Sequence, residues 1–279
     1  MIQISVMVSF GWWNDGVLGP RDLLARLAAH GAHGVEVWDA DFYKNPSFAR
    51  DYSHWLSEHG LRMVAVDVLC NLVHKDATGR RRAQDELRRG LDVCVEQGAL
   101  VAHCAGSRLV EGVTPADGRK MIADLLGDAY HVYTQKHGVV LAIEDFDLAP
   151  DLICRKADCL EVLNRAEGRV KMVFDTGNFF AVGERAEENL DDCYDWITMC
   201  HFKDRSPASR PATATTPAVF EYSRFGEGII RNALVTDMLL ERGYEGWISL
   251  ESRRHEGETV DATLARELGL LRRWFRLRE

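Results

Sequence analysis

The chain has 279 residues, enough for one large α/β barrel or two small domains. Hydrophobic residues at 46% and charged residues at 28% exclude a disordered chain, and a net charge of -9 disfavours nucleic-acid partners, whose phosphates need a basic surface. Seven cysteines, odd in number and with no Cys-x-x-Cys pair, point to reduced and mostly buried thiols rather than a disulfide framework.

In chain order, the first apolar run, "IQISVMVSF", is too short to span a bilayer and has no basic leader. It reads as a first strand, with the cytoplasm as the expected compartment and no membrane partner. Trp12 and Trp13 follow it; an aromatic face could wall a sugar-sized pocket, and core packing is the alternative. "PRDLLARLAAHG" has helical spacing, with Pro at its start and Gly at its end. The strand "HGVEVW" carries Glu36 and Trp38; the helix "SFARDYSHWLSEHG" leads to "LRMVAVDVL" with Asp67. The alternating charges of "GRRRAQDELRR" mark a solvated helix face, and the next strand, "LVAHCA", carries His103.

After the helix "TPADGRKMIADLLGDAYHVYTQKHG", four strands end alike. "VVLAIEDF" carries Glu144, "VKMVFD" ends at Asp175, "WITMCHFKD" carries His201 and "GWISLES" carries Glu251. Between them lie the helices "ADCLEVLNRA", "RAEENLDDCYD" and "IIRNALVTDMLLERG", and "TLARELGLLRRWF" closes the chain. Residues 205–228, after the seventh strand, have no helical period; a connection of that length is a lid, a subunit contact or a mobile insertion.

Eight strand–helix units with no linker predict a single domain over residues 1–279, a (β/α)8 TIM barrel. Its active rim would lie at the C-terminal ends of the strands, where Glu144, Asp175, His201 and Glu251 then meet. Each has an ordinary alternative as an ion pair, a packed core histidine or a cap. Three carboxylates at one rim repel one another, however, and a divalent cation removes that repulsion. The oxygen-rich set suits Mn²⁺, with Mg²⁺, Co²⁺ or Zn²⁺ as alternatives.

This pattern resembles the xylose isomerase-like TIM barrel superfamily, in its sugar phosphate isomerase/epimerase group, nearest to the inosose isomerase and ketose 3-epimerase branches. The resemblance runs from "GVEVWD" through "IEDF", "FDTGN", "HFKD" and "GEG" to "ISLES". It implies that Glu144, Asp175, His201 and Glu251 hold one divalent metal, and that Glu144 and Glu251 are the catalytic pair that moves a proton beside a ketone. The implied activity is a metal-dependent sugar or keto-cyclitol isomerase or epimerase working through an enediolate. A dehydratase or lyase acting on an inosose or 3-keto-glycoside uses the same first step, and a non-catalytic carbohydrate-binding barrel is the reading from another class.

Relatives carry a histidine where Asn178 stands, so this residue is expected to bind substrate by hydrogen bonds or to occupy a left-handed turn. Further substrate-binding candidates are Lys203, His103, Arg205 and Trp12. Lys203 shares the strand face of His201, two residues earlier. Endonuclease IV, a metal-dependent relative, needs more histidine and aspartate ligands than this chain shows. The apolar "FFAVG" after Asn178 is a candidate homo-oligomer contact.

Overall fold

The computed structural model describes residues 1–9, 12, 18–44, 46–211 and 219–277. The strands are β1 (Gln3–Met7), β2 (Gly34–Trp38), β3 (Arg62–Asp67), β4 (Val101–His103), β5 (Val140–Glu144), β6 (Lys171–Asp175), β7 (Ile197–Phe202) and β8 (Trp247–Leu250). Each pairs in parallel with the next, and β8 pairs with β1, so the sheet closes into a barrel in sequence order. All eight coincide with the strands expected from the sequence.

Around the barrel run α1 (Pro20–Ala29), α2 (Asp39–Lys44), α3 (Pro46–Glu58), α4 (Ala77–Glu96), α5 (Pro115–Tyr130), α6 (Lys156–Arg165), α7 (Ala186–Cys193), α8 (Asn232–Glu241) and α9 (Val260–Trp274). Local signals set several starts: Asp76 caps α4 through Gly79 N at 2.9 Å, Thr114 caps α5, and Thr259 caps α9. Helix α2 was not expected. Its six residues are too few to display a period; Phe42 is buried in the core and Tyr43 packs against it. The long helix expected over residues 114–138 leaves α geometry after Tyr130 and ends in a π turn, His131–Gln135.

Side chains alternate between the two faces of each strand, which builds the barrel interior in layers. Val64, Ala65, Val101, Ala142, Val173 and Met199 form an apolar cluster of their own. Five of these stand two residues before Asp67, His103, Glu144, Asp175 and His201 respectively, on the same strand faces. The polar residues therefore rest on a packed apolar floor, not on a water-filled pore. The main core lies between strands and helices, and all seven cysteines are free and buried. Among the described residues no helix is long and apolar enough to cross a membrane.

The segment after β7 folds back on itself: Arg205 bridges Tyr222, and Arg210 bridges Val219, in antiparallel fashion. Residues 212–218, within the expected loop, lie outside the described residues. Asp204 anchors the return, accepting from Gly226 N and Gly228 N at 3.0 Å and from Ile230 N at 3.2 Å. A Cβ on Gly228 would sit 2.1 Å from Asp204 Oδ1 and 2.4 Å from the Arg205 carbonyl oxygen. Gly228→Ala is thus expected to cost about 1–3 kcal/mol by overpacking, read as a lower denaturation midpoint. An unchanged midpoint would mean that the turn yields without loss.

Candidate metal centre

Glu144, Asp175, His201 and Glu251 converge at the C-terminal mouth of the barrel, each offering a ligand atom within 4.8 Å of the others, and all four are buried. The register explains the convergence: Asp175 lies beside His201 on the adjacent strand, and Glu251 directly follows β8 with its N–H bonded to the Phe202 carbonyl. His201 Nδ1 lies 3.0 Å from Glu144 Oε1, 3.7 Å from Asp175 Oδ2 and 3.8 Å from Glu251 Oε2. Asp175 has two roles at once. Its Oδ1 accepts from Gly177 N and Asn178 N at 2.7 and 2.8 Å, closing the turn that ends β6, which leaves Oδ2 for the cluster.

This donor set fits a divalent ion. Glu144 Oε1, Asp175 Oδ2 and His201 Nδ1 are buried and make no well-aligned hydrogen bond among the described residues; their close contacts are ion pairs, His201 with Glu144 and Lys203 with Asp175. All three face the same point. Electrostatics agrees: burial, against the attraction of Lys203, raises the Asp175 carboxyl to about 7, and burial together with Asp175 pushes the neighbouring Asp145 well above the carboxylate range. A cation would relieve the accumulation of charge.

Behind the cluster stands a second set of buried groups. Glu36 lies 2.9 Å from His201 Nε2 and 3.2 Å from His103 Nδ1, and it accepts from Ser249 Oγ at 2.6 Å. Asp67 holds the same His103 nitrogen at 3.1 Å. Burial opposes the charge of Glu36, yet His201 and His103 hold it well below the usual carboxylate range; Asp67 is pushed well above by burial and by Glu36. Burial opposes the charge of His201, yet Glu36 and Glu144 hold it well above the ordinary imidazole range, so a metal ion at Nδ1 would have to displace the proton there while Glu36 keeps the one on Nε2.

The other expected residues fall on two sides of the mouth. Lys203 is buried, with Nζ 3.0 Å from Asp175 Oδ2 and 2.5 Å from Glu251 Oε2, and it donates to Asn178 Oδ1 at 3.1 Å. Asn178 lines the cavity without a left-handed backbone. His103 lines it too, with Nε2 buried, lacking a hydrogen-bond partner and 3.7 Å from Glu144 Oε2. Arg205 sits behind the lining, paired with Asp147 at 2.7 Å and stacked 4.1 Å from the ring of Tyr222.

One expectation is corrected and another narrowed. Trp12, 1% exposed, belongs to the apolar layer between strands and helices and is not among the described residues that line the cavity. The chain bends at Val8, whose carbonyl accepts from Trp12 N, and the indole packs into the core with its Nε1 unpaired among the described residues; Trp38 lines the cavity instead. In "FFAVG", Phe179 and Ala181 are buried within the chain, Phe179 against Phe174, which leaves only the half-buried Phe180 and Val182 of that segment for an outside contact.

Sequence reading missed Tyr222, whose hydroxyl donates to Glu251 Oε1, and the pairing of Asp147 with Arg205. Both lie in connections without periodicity. The cavity enclosed by these groups measures about 440 Å³.

Comparison with known structures returns the same architecture. The 3-keto-D-glucoside 4-epimerase YcjR from E. coli aligns with a TM-score of 0.74 at 16% identity, covering 98% of this chain and 100% of that one. The IOLI protein, solved with a bound zinc atom, aligns at 0.76 and 16% identity over 99% and 100%. The probable 3-DHS dehydratase AsbF from Bacillus anthracis aligns at 0.70 and 16% identity over 96% and 98%. At such identities the likeness establishes the fold alone. No curated protein matches the sequence. The family model for the xylose isomerase-like TIM barrel matches residues 24–274, and the chain belongs to that family.

Proposed function

We propose that the protein is a divalent-metal-dependent isomerase or epimerase of a sugar or keto-cyclitol, transferring a proton at the carbon beside a ketone. The observation that carries this reading is the convergence of four buried ligand residues, Glu144, Asp175, His201 and Glu251, with their donor atoms within 4.8 Å of one another at the barrel mouth. A divalent ion held by these four, Mn²⁺ by the hardness of the set, would supply Lewis acidity toward the substrate oxygens.

The protein's own groups do the rest. Each catalytic glutamate directs one oxygen to the cluster and turns the other away: Glu144 Oε2 lies 3.7 Å from His103 Nε2, and Glu251 Oε1 is held by Tyr222. A substrate ketone between the two presents one face of its α-carbon to each carboxylate, so that one removes the proton and the other returns it. Lys203, held between Asp175 and Glu251 and lining the cavity, would offer its ammonium to the oxygen on which negative charge develops. Asn178 and the barrel floor fix orientation and exclude water.

A second reading, β-elimination as in a dehydratase or lyase, draws on His103. Its buried, unpartnered Nε2 faces the cavity and could protonate a departing oxygen after the same proton abstraction.

The test is incubation of Mn²⁺-loaded protein with ketoses, inososes and 3-keto-glycosides in D₂O, followed by NMR. Deuterium with a rearranged isomer is expected; deuterium with loss of water or an aglycone would transfer the assignment to a lyase. Chelation should lower exchange by at least about a hundredfold, since Lewis-acid stabilisation is worth several kcal/mol, and Mn²⁺ should restore it. Full activity of chelated, metal-free protein would overturn the metal-dependent reading.

A further inference from the structure

The cavity is divided by chemistry. Its inner end is polar, formed by Glu144, Glu251, Lys203, Asn178 and His103. Its apolar lining comprises the half-buried Trp38 and Phe146 and the exposed Leu69 and Leu148, which form the outer wall, with Met7 and Ala105 buried deeper; Asp67, Arg108, Asp147 and Tyr222 also line it. Leu69 and Leu148 stand out because they remain 41% and 57% exposed, on the separate connections that follow β3 and β5, yet line one mouth. Scattered exposed leucines need no explanation, but two converging on an apolar wall continuous with a polar site form a binding surface.

Resting on the proposed chemistry, we infer that the outer wall is a subsite for an apolar ring carried by the substrate, so that the natural substrate is a keto-glycoside with an apolar aglycone. Three observations support this class over a free sugar. First, the volume of about 440 Å³ lies within the roughly 300–1,000 Å³ typical of drug-sized ligands, more than one hexose occupies. Second, sugar hydroxyls on this wall would lose water without gaining partners, because its side chains offer almost no donors or acceptors. Third, the carboxylate at the rim is already engaged, Asp147 with Arg205, while Arg108 stays exposed at the solvent edge. The ketone and its neighbouring hydroxyls would lie at the carboxylate end, with the aglycone directed outward between Leu69 and Leu148.

The experiment compares equilibrium binding of methyl and phenyl glucosides, in plain and 3-keto forms, to the Mn²⁺-loaded protein by calorimetry. The phenyl compound of the 3-keto pair is expected to bind at least about tenfold more tightly than the methyl compound, as burial of a ring implies. The double variant Leu69→Ser/Leu148→Ser should reduce that preference below about threefold while leaving methyl-glucoside binding unchanged. Both leucines are at the rim, and circular dichroism will establish that the variant is folded. Equal affinity for methyl and phenyl compounds, saturable binding of neither, or a preference untouched by the double variant would overturn the inference and leave the leucines to another contact, such as a second copy of the chain. Because binding is read without turnover, a phenyl preference without deuterium exchange would refute the proton-transfer reading alone.

Discussion

Glu144→Gln and Glu251→Gln are each expected to lower solvent-deuterium exchange by about 10²–10⁴-fold while a divalent ion stays bound, the range that one positioned acid or base contributes. Glutamine keeps the volume and one carbonyl donor but cannot accept a proton. Burial opposes ionisation of Glu144, yet His103 and His201 hold it well below the usual carboxylate range, so it stands ready as an anion. Glu251 is likewise kept low, against burial, by Lys203 and His201. Metal content measured alongside exchange separates loss of the base from loss of the ion. Undiminished exchange in either variant with metal bound would remove that residue from the proton-transfer pair.

Glu36→Ala should weaken binding of Mn²⁺ by about 10–100-fold, the usual effect of removing a partner that orients a histidine ligand. It should also destabilise the metal-free protein by about 3–5 kcal/mol, because His201 and His103 lose a buried counter-charge. Neither effect requires Glu36 to touch the ion. Calorimetric titration of Mn²⁺ gives the first quantity and urea unfolding of the chelated protein the second. Glu36→Gln separates charge from shape, since an amide oxygen can still accept the Nε2 proton while the charge is gone. Unaltered Mn²⁺ affinity in Glu36→Ala would show that His201 needs no support from behind.

The barrel and its rim were legible for a simple reason. In a closed parallel sheet the strand ends share one face, so Glu144, Asp175, His201 and Glu251 need only terminate successive strands to gather there. Lys203 followed from the same parity, two residues beyond His201, and it does enter the cluster. What lay behind the rim was less accessible. Glu36, Asp67 and His103 were visible singly, but no local pattern says that Glu36 would link His103 to His201 across the interior, 67 and 165 residues away in sequence.

Trp12 and Tyr222 mark the same boundary from opposite sides. An aromatic beside a strand end could face pocket or core, and only the bend at Val8 directed Trp12 inward. Tyr222 lies in a segment with no period, brought over Glu251 by the backbone anchors on Asp204. The sequence by itself determined the strands, the closed barrel and the acids at its mouth, because alternation and strand termination are local properties of the chain. The buried network behind His201, the tyrosine over Glu251 and the apolar outer wall were decided by tertiary structure alone, because each depends on loops and distant strands meeting after closure, and no short-range periodicity encodes such a meeting.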